Sequence, residues 1–127
     1  MKEAFTTIEL IFIIVIIGIL SAIAIPKLSS SRNDADASKI VLALSTCIND
    51  AGNEYIIRAS FHNKTQVGED NVTVSCRLAS RCFIFDEDDD NASLTVDENS
   101  SEDSSICKVA KDIAKKNLLT DSHKFYF

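Results

Sequence analysis

The stretch FTTIELIFIIVIIGILSAIAIP, residues 5–26, decides how the rest of the chain is read. Within residues 8–25 only Glu9 and Ser21 carry polar side chains. The 21 residues 5–25 make a helix of about 31 Å at 1.5 Å per residue, enough to cross a hydrocarbon core of about 30 Å. A buried core helix would need apolar cover on every side, and a chain of 127 residues has too little left to supply it. A secretory signal ends in a small-x-small site, whereas this run ends in Ile25-Pro26-Lys27-Leu28 and the small residue, Ala4, stands before it. The run is therefore expected to persist as a membrane anchor.

Outward from this head the chain is polar. Of its residues 46% are hydrophobic and 25% charged, with three Gly, one Pro and no Trp, so at most one compact body follows the anchor. The formal charge of −6 is local: residues 86–103 hold nine carboxylates and no Lys or Arg, and without them the chain stands at +3. An acidic chain is a poor direct binder of nucleic acid, because phosphate binding rests on clustered Lys and Arg. Catalysis is not expected either. His62 and His123 are the only histidines, neither lies in a nucleophile signature, and there is no Gly-rich phosphate loop.

Past Pro26 the residues Ile40, Leu44, Cys47, Ile48, Ala51 and Tyr55 recur at helical spacing, which predicts one helix running from residue 5 to about 54. Three runs rich in Val, Thr, Phe and Ile, at 71–78, 82–86 and 93–98, predict a small antiparallel sheet to cover that stripe. Residues 104–119 predict a C-terminal helix, with Ser104 or Ser105 as cap and Ile106, Val109, Ala110, Ile113 and Ala114 on its apolar face. Its Lys108, Lys111, Lys115 and Lys116 read as a solvated face. The expected class is α+β: a long N-terminal helix, half membrane-spanning and half amphipathic, packed on the small sheet. The aromatic end, Phe125-Tyr126-Phe127, is expected to pack on the body.

Four cysteines, Cys47, Cys76, Cys82 and Cys107, contain no Cys-x-x-Cys pair. That spacing argues against a zinc ribbon or a redox motif and for two structural disulfides in an oxidising compartment. Three connectivities are open; the preferred one joins Cys76 to Cys82 across a short turn and Cys47 to Cys107 between the two helices. The long loop of the latter would contribute on the order of 4 kcal/mol in the loop-entropy model.

Glu9 sets a problem, since an ionised carboxylate in a membrane-directed run costs about 3 kcal/mol and calls for a cationic partner. A cut after Ala4 would supply one, the new α-amine of Phe5, on the same copy or a neighbouring one. A small residue, then Phe5-Thr6-x-x-Glu9, an apolar run with Gly18 and Pro26, and a following amphipathic helix resemble, over residues 1–28, the class III prepilin leader of type IV pilins and pseudopilins. Ala4 stands where that family usually has Gly. The resemblance implies a leader at 1–4, a transmembrane and assembly helix at 5–26, and a periplasmic body at 27–127. It implies cleavage between Ala4 and Phe5, N-methylation of Phe5, Glu9 as the assembly carboxylate, and Gly18 and Pro26 as positions where the helix loosens in the filament. Implied partners are other pilin-like subunits, a prepilin peptidase and an inner-membrane platform with its ATPase. The implied function is that of a structural subunit of a pseudopilus serving type II protein secretion or natural transformation by DNA uptake. The competing expectation is a membrane-anchored periplasmic binding module that never polymerises and tolerates loss of Glu9.

Two further motifs lie in the body. Asp86, Asp88 and Asp90, with Asp97 eleven residues after the first, loosely match the ligand spacing of a calcium loop, although Asn91 replaces its turn Gly and Asp97 its closing Glu. Calcium is thus the one cofactor suggested, against a plain solvated acidic loop. Asn-x-Ser/Thr sequons occur at Asn63, Asn71, Asn91 and Asn99. The last three have an acid two residues earlier, Glu69, Asp89 and Asp97, as in the extended acceptor of bacterial N-glycosylation.

Overall fold

A computed structural model describes residues 4–66, 68, 71–120 and 123–127. The order is helix α1 (Thr7–Arg58), helix α2 (Val74–Ala79), strands β1 (Phe83–Asp88) and β2 (Ser93–Glu98), helix α3 (Ser105–Lys116) and strand β3 (His123–Tyr126). The architecture is α+β, as expected. The chain forms two compact units, the first ending at Arg32 and the second spanning Asn33–Phe127, with α1 contributing to both.

In the first unit every described side chain is exposed. Its part of α1 is the apolar run, and α1 is the one helix among the described residues long and apolar enough to cross a membrane. Gly18 and Pro26 both lie within the helix. Proline offers no N–H to the carbonyl four residues back and ordinarily breaks a helix, at about 3 kcal/mol. Here helix continues on both sides of Pro26.

The second unit is built on the stripe. Ala37, Ile40, Val41, Leu44, Cys47, Ile48 and Ala51 are buried at spacings of three and four, and form one core with Phe61, Phe83, Phe85, Leu94, Val96, Ala110 and Ala114. α1 ends where Ala59 turns left-handed at φ 54°, its N–H still donating to the Tyr55 carbonyl at 2.7 Å. The sheet is antiparallel in the order β1-β2-β3. Phe85 faces Val96 and Leu94 faces Phe125, so alternate positions on the strands feed the core. Tyr55, Phe61 and Phe127 stack in sequence, with centroids 4.8 and 5.8 Å apart, and the Phe127 ring lies against Gly52.

Local chemistry overturns two expectations. Residues 71–78 are not a strand: the Thr73 hydroxyl accepts from the Cys76 N–H at 3.2 Å and caps α2. The β-branched Val72 and Thr73 look like a strand, but a capping hydroxyl followed by Arg77, Leu78 and Ala79 favours a short helix. The third strand is His123–Tyr126 instead. α3 starts after Ser104, whose Oγ accepts from the Cys107 N–H at 3.3 Å, and it ends at Lys116, before the left-handed Leu118 at φ 56°.

The disulfides correct the preferred pairing. They join Cys47 to Cys76, with Cα atoms 4.7 Å apart, and Cys82 to Cys107, at 5.2 Å. Cys76 sits on α2, so it meets Cys47 on α1 and not a strand across a turn. Cys82 immediately precedes β1 and meets the first turn of α3 at Cys107.

Three of the α3 lysines, Lys108, Lys111 and Lys115, are engaged with the acidic stretch, and Lys116 pairs within the helix. Lys108 lies 3.1 Å from Asp103, Lys115 3.2 Å from Glu98 and Lys116 2.7 Å from Asp112. Lys111 Nζ donates to the carbonyls of Asn99 and Glu102, both at 2.7 Å. Such exposed ion pairs contribute about 0–1 kcal/mol each.

Candidate functional site

At the head of α1 the Thr6 N–H and hydroxyl both donate to Glu9 Oε2, at 2.9 and 3.0 Å, while the Glu9 N–H donates to Thr6 Oγ1 at 3.4 Å. This reciprocal arrangement is a capping box, and it satisfies donors that a helix start otherwise leaves open. Glu9 therefore has local partners as well as the partial positive charge of the helix N-terminus. Both bonds fall on one oxygen, and Oε1 has no hydrogen-bond partner among the described residues. The signature Thr6-x-x-Glu9 was available in the sequence; the cost of a charge in lipid drew attention to Glu9 without pointing to Thr6.

Ala4, Phe5, Thr6 and Glu9 border one open depression of about 470 Å³. The Ala4–Phe5 bond lies ahead of the helix, and Phe5 is 80% exposed. A peptide bond outside a helix and open to solvent is in the state a peptidase needs. Met1, Lys2 and Glu3 of the expected leader lie outside the described residues. Gly18 and Pro26 are within α1 and exposed, distant in sequence from this head, and nothing packs where a Gly18 side chain would be.

The four carboxylates considered for calcium are not gathered. Asp86 faces Thr95 across the β1–β2 ladder and Asp97 faces Ile84. Asp90 is exposed in the connecting turn. Asp88 accepts from the Asn91 side-chain amide at 2.6 Å and from the Asn91 N–H at 3.1 Å, and these bonds hold its pKa below the ordinary 3.8. Among the described residues no group of three or more His, Cys, Asp and Glu side chains is arranged to hold a metal ion.

The neighbours of those carboxylates do the structural work. Glu87 Oε1 accepts from the Thr65 N–H at 2.8 Å and from the Thr65 hydroxyl. Asp89 accepts from the Phe61 N–H at 2.8 Å and from the Ser60 hydroxyl at 2.9 Å, and its carbonyl takes the Tyr55 hydroxyl at 2.9 Å. The acidic tract is thus a set of acceptors that closes the loop after α1, with partners 22 to 34 residues away. No periodic signal marks contacts at that range.

The sequons sit at turns or strand ends. Asn63, Asn71 and Asn91 are exposed and Asn99 is half-buried at the end of β2, while Glu69 lies outside the described residues. A depression of about 530 Å³ bordered by Asp36, Lys39, Arg81, Glu102 and Ser104 mixes both signs of charge and singles out no ligand chemistry. Compared with known protein families, with characterised proteins and with solved structures, the chain matches none.

Proposed function

We propose that this chain is a pilin-like structural subunit, held in the inner membrane by residues 5–26, cut between Ala4 and Phe5, N-methylated at Phe5, and assembled through Glu9 into a periplasmic pseudopilus serving type II secretion or DNA uptake. The observation that carries this reading is the head of α1: a wholly exposed apolar run with one carboxylate, whose Oε2 is held by Thr6 and whose Oε1 has no partner among the described residues. In lipid the capping box lessens the cost of that charge, about 3 kcal/mol, and does not neutralise it. A cut after Ala4 makes Phe5 an α-amine, and methylation leaves that amine cationic with two N–H donors. Placed on Oε1 of an adjacent subunit, the amine neutralises both charges and fixes an axial step. Head-to-tail contacts of this kind do not close, and they give filaments. A prepilin peptidase, an inner-membrane platform and its ATPase are the partners this route requires. The two disulfides of the second unit support an oxidising compartment for the body.

The test is mass analysis of the chain extracted from membranes of a host with a prepilin peptidase, combined with crosslinking of Glu9 variants. Expected are an N-terminus at N-methylated Phe5 and a crosslinked ladder for the unsubstituted chain. Glu9→Ala and Glu9→Gln should both yield monomer only. The second variant keeps an acceptor for Thr6 and loses the charge, so it separates assembly from helix capping. A retained Met1, or equal ladders with equal secretion or transformation, overturns the reading and favours the anchored binding module.

A further inference from the structure

We infer that the bodies of neighbouring copies join edge to edge, β1 of one beside β3 of the next, so that the three-stranded sheet runs on from copy to copy. The inference rests on the subunit reading above for bringing copies side by side, and it names the contact that their bodies make. Two hydrogen bonds just beyond the strands fix which backbone groups are turned outward. The Asn99 N–H donates to the Cys82 carbonyl at 3.0 Å, and the Phe127 N–H donates to the Ala92 carbonyl at 3.0 Å. Carried along the observed register, the antiparallel alternation turns the N–H and C=O of Ile84 and Asp86 toward β2, and those of Phe83 and Phe85 away from it. At the other edge it turns those of Phe125 toward β2, and those of Lys124 and Tyr126 away. Among the described residues none of these four outward-turned residues makes a backbone hydrogen bond to another segment. Such edges are where an extended chain adds to a sheet.

Charge and space single out the occupant. β1 carries Asp86, Glu87 and Asp88 and no base, whereas β3 carries His123 and Lys124 and no acid. Two β1 edges, or two β3 edges, would set like charges against each other, which opposes a closed pair. β1 against β3 attracts. Alongside β1 a depression of about 290 Å³, walled by Thr65, Gln66 and Ser80, lies open at Phe83, Ile84 and Phe85. On the sheet face turned from the core, Ile84 is 50% exposed and Tyr126 70%.

β1 and β3 run parallel within one copy, since each is antiparallel to β2, so a copy shifted sideways across the sheet presents its β3 parallel to β1. With Lys124 beside Ile84, the Lys124 N–H donates to the Phe83 carbonyl, the Phe85 N–H to the Lys124 carbonyl, and the Tyr126 N–H to the Phe85 carbonyl. The Lys124 stem then covers Ile84 while its ammonium reaches Asp86, and Tyr126 lies next to the same carboxylate. The contact joins two different edges, so it repeats from copy to copy without closing.

The experiment uses the full chain with both disulfides closed, one batch labelled with heavy isotopes, mixed with unlabelled chain and reconstituted into phospholipid vesicles. A zero-length carbodiimide then joins carboxylate to amine, and fragmentation maps the links. Expected is an Asp86–Lys124 link between a light and a heavy chain, together with slowed amide exchange at Phe85, Lys124 and Tyr126. Lys124→Glu should abolish both with the disulfide map unchanged, and combining it with Asp86→Lys should restore a light–heavy link between the two positions. Absence of a light–heavy link, undiminished protection of those amides in the Lys124→Glu chain, or failure of the reversed pair to restore the link overturns the inference. Where that happens beside a Glu9-dependent ladder, the subunit reading stands and the edge contact alone falls; where the ladder is missing as well, both fall.

Discussion

Substituting Gly52 by Ala should destabilise the second unit in the native chain and stabilise it once Phe127 is removed. A Cβ at position 52 would stand 2.5 Å from Cδ1 and 3.1 Å from Cζ of the Phe127 ring, so one of the two must move. The ring is the freer partner, and its displacement sets two effects against each other. Alanine is favoured over glycine in a helix interior by about 1 kcal/mol. Phe127 is 37% exposed, so moving it forfeits most of the burial of a phenylalanine, about 1–2 kcal/mol. The edge-on contact with Phe61 at 5.8 Å goes too, worth about 0.5–1.5 kcal/mol. The losses exceed the gain, and Gly52→Ala should cost about 0.5–2.5 kcal/mol in net terms. In a Phe127→Ala background nothing remains to displace, and the same substitution should stabilise by about 1 kcal/mol. The assay is a double-mutant cycle by denaturant titration, followed through the near-UV dichroism of tyrosine, because Tyr55 stacks on Phe61. Stabilisation by Gly52→Ala in both backgrounds would refute the contact and the reasoning built on it.

Non-reducing peptide mapping should recover Cys47 linked to Cys76 and Cys82 linked to Cys107, and removal of either pair should cost about 3.5 kcal/mol in the loop-entropy model for separations of 29 and 25 residues. A 47–107 peptide would contradict the placement of α2. Asp89→Ala should lose about 2 kcal/mol, at the low end for two bonds to an exposed carboxylate, with Asp89→Asn recovering about half; amide exchange of Phe61 is the readout, and unchanged protection would sink the loop-closing role. Asp88 has a depressed pKa in the folded chain, so its contribution to stability is present above the ordinary 3.8 and fades as pH falls through the folded value. Carboxyl titration by NMR should show that depression, first through the Asn91 side chain, and Asn91→Ala should move the value back up.

How far the sequence reached depended on the range of each signal. The buried stripe of α1 was legible because Ile40, Leu44, Cys47, Ile48 and Ala51 repeat within a few turns. β2 was read at its full extent, 93–98, and α3 was announced by Ser104 as its cap. α2 was missed because Val72 and Thr73 outweighed the capping role of Thr73, and β3 because four residues carry too little pattern. The cysteine pairing was not decidable from chain entropy: loops of 47–107 and 76–82 together contribute about as much as loops of 47–76 and 82–107, near 7 kcal/mol either way. The loop-closing role of Glu87 and Asp89 escaped notice because an acidic run looks the same whether it faces water or closes a loop. At the head of the chain Glu9 was legible from its isolation among apolar residues, and its bond to Thr6 required the structure.

The pairing of the four cysteines also bears on the order in which the body can be completed. First is joined to second and third to fourth, so the two covalent loops follow one another along the chain and neither encloses the other. A chain that enters an oxidising space from its N-terminal side meets Cys76 as the first available mate for Cys47, and later Cys107 as the first for Cys82. Joining each thiol to the next arrival then yields the native set, and no bridge has to be broken and remade. The nested alternative would leave Cys47 waiting for the last cysteine while two others passed by. This connectivity therefore lets oxidation keep pace with delivery, and the α1–α2 half can be sealed before the strand and helix of the other half have arrived.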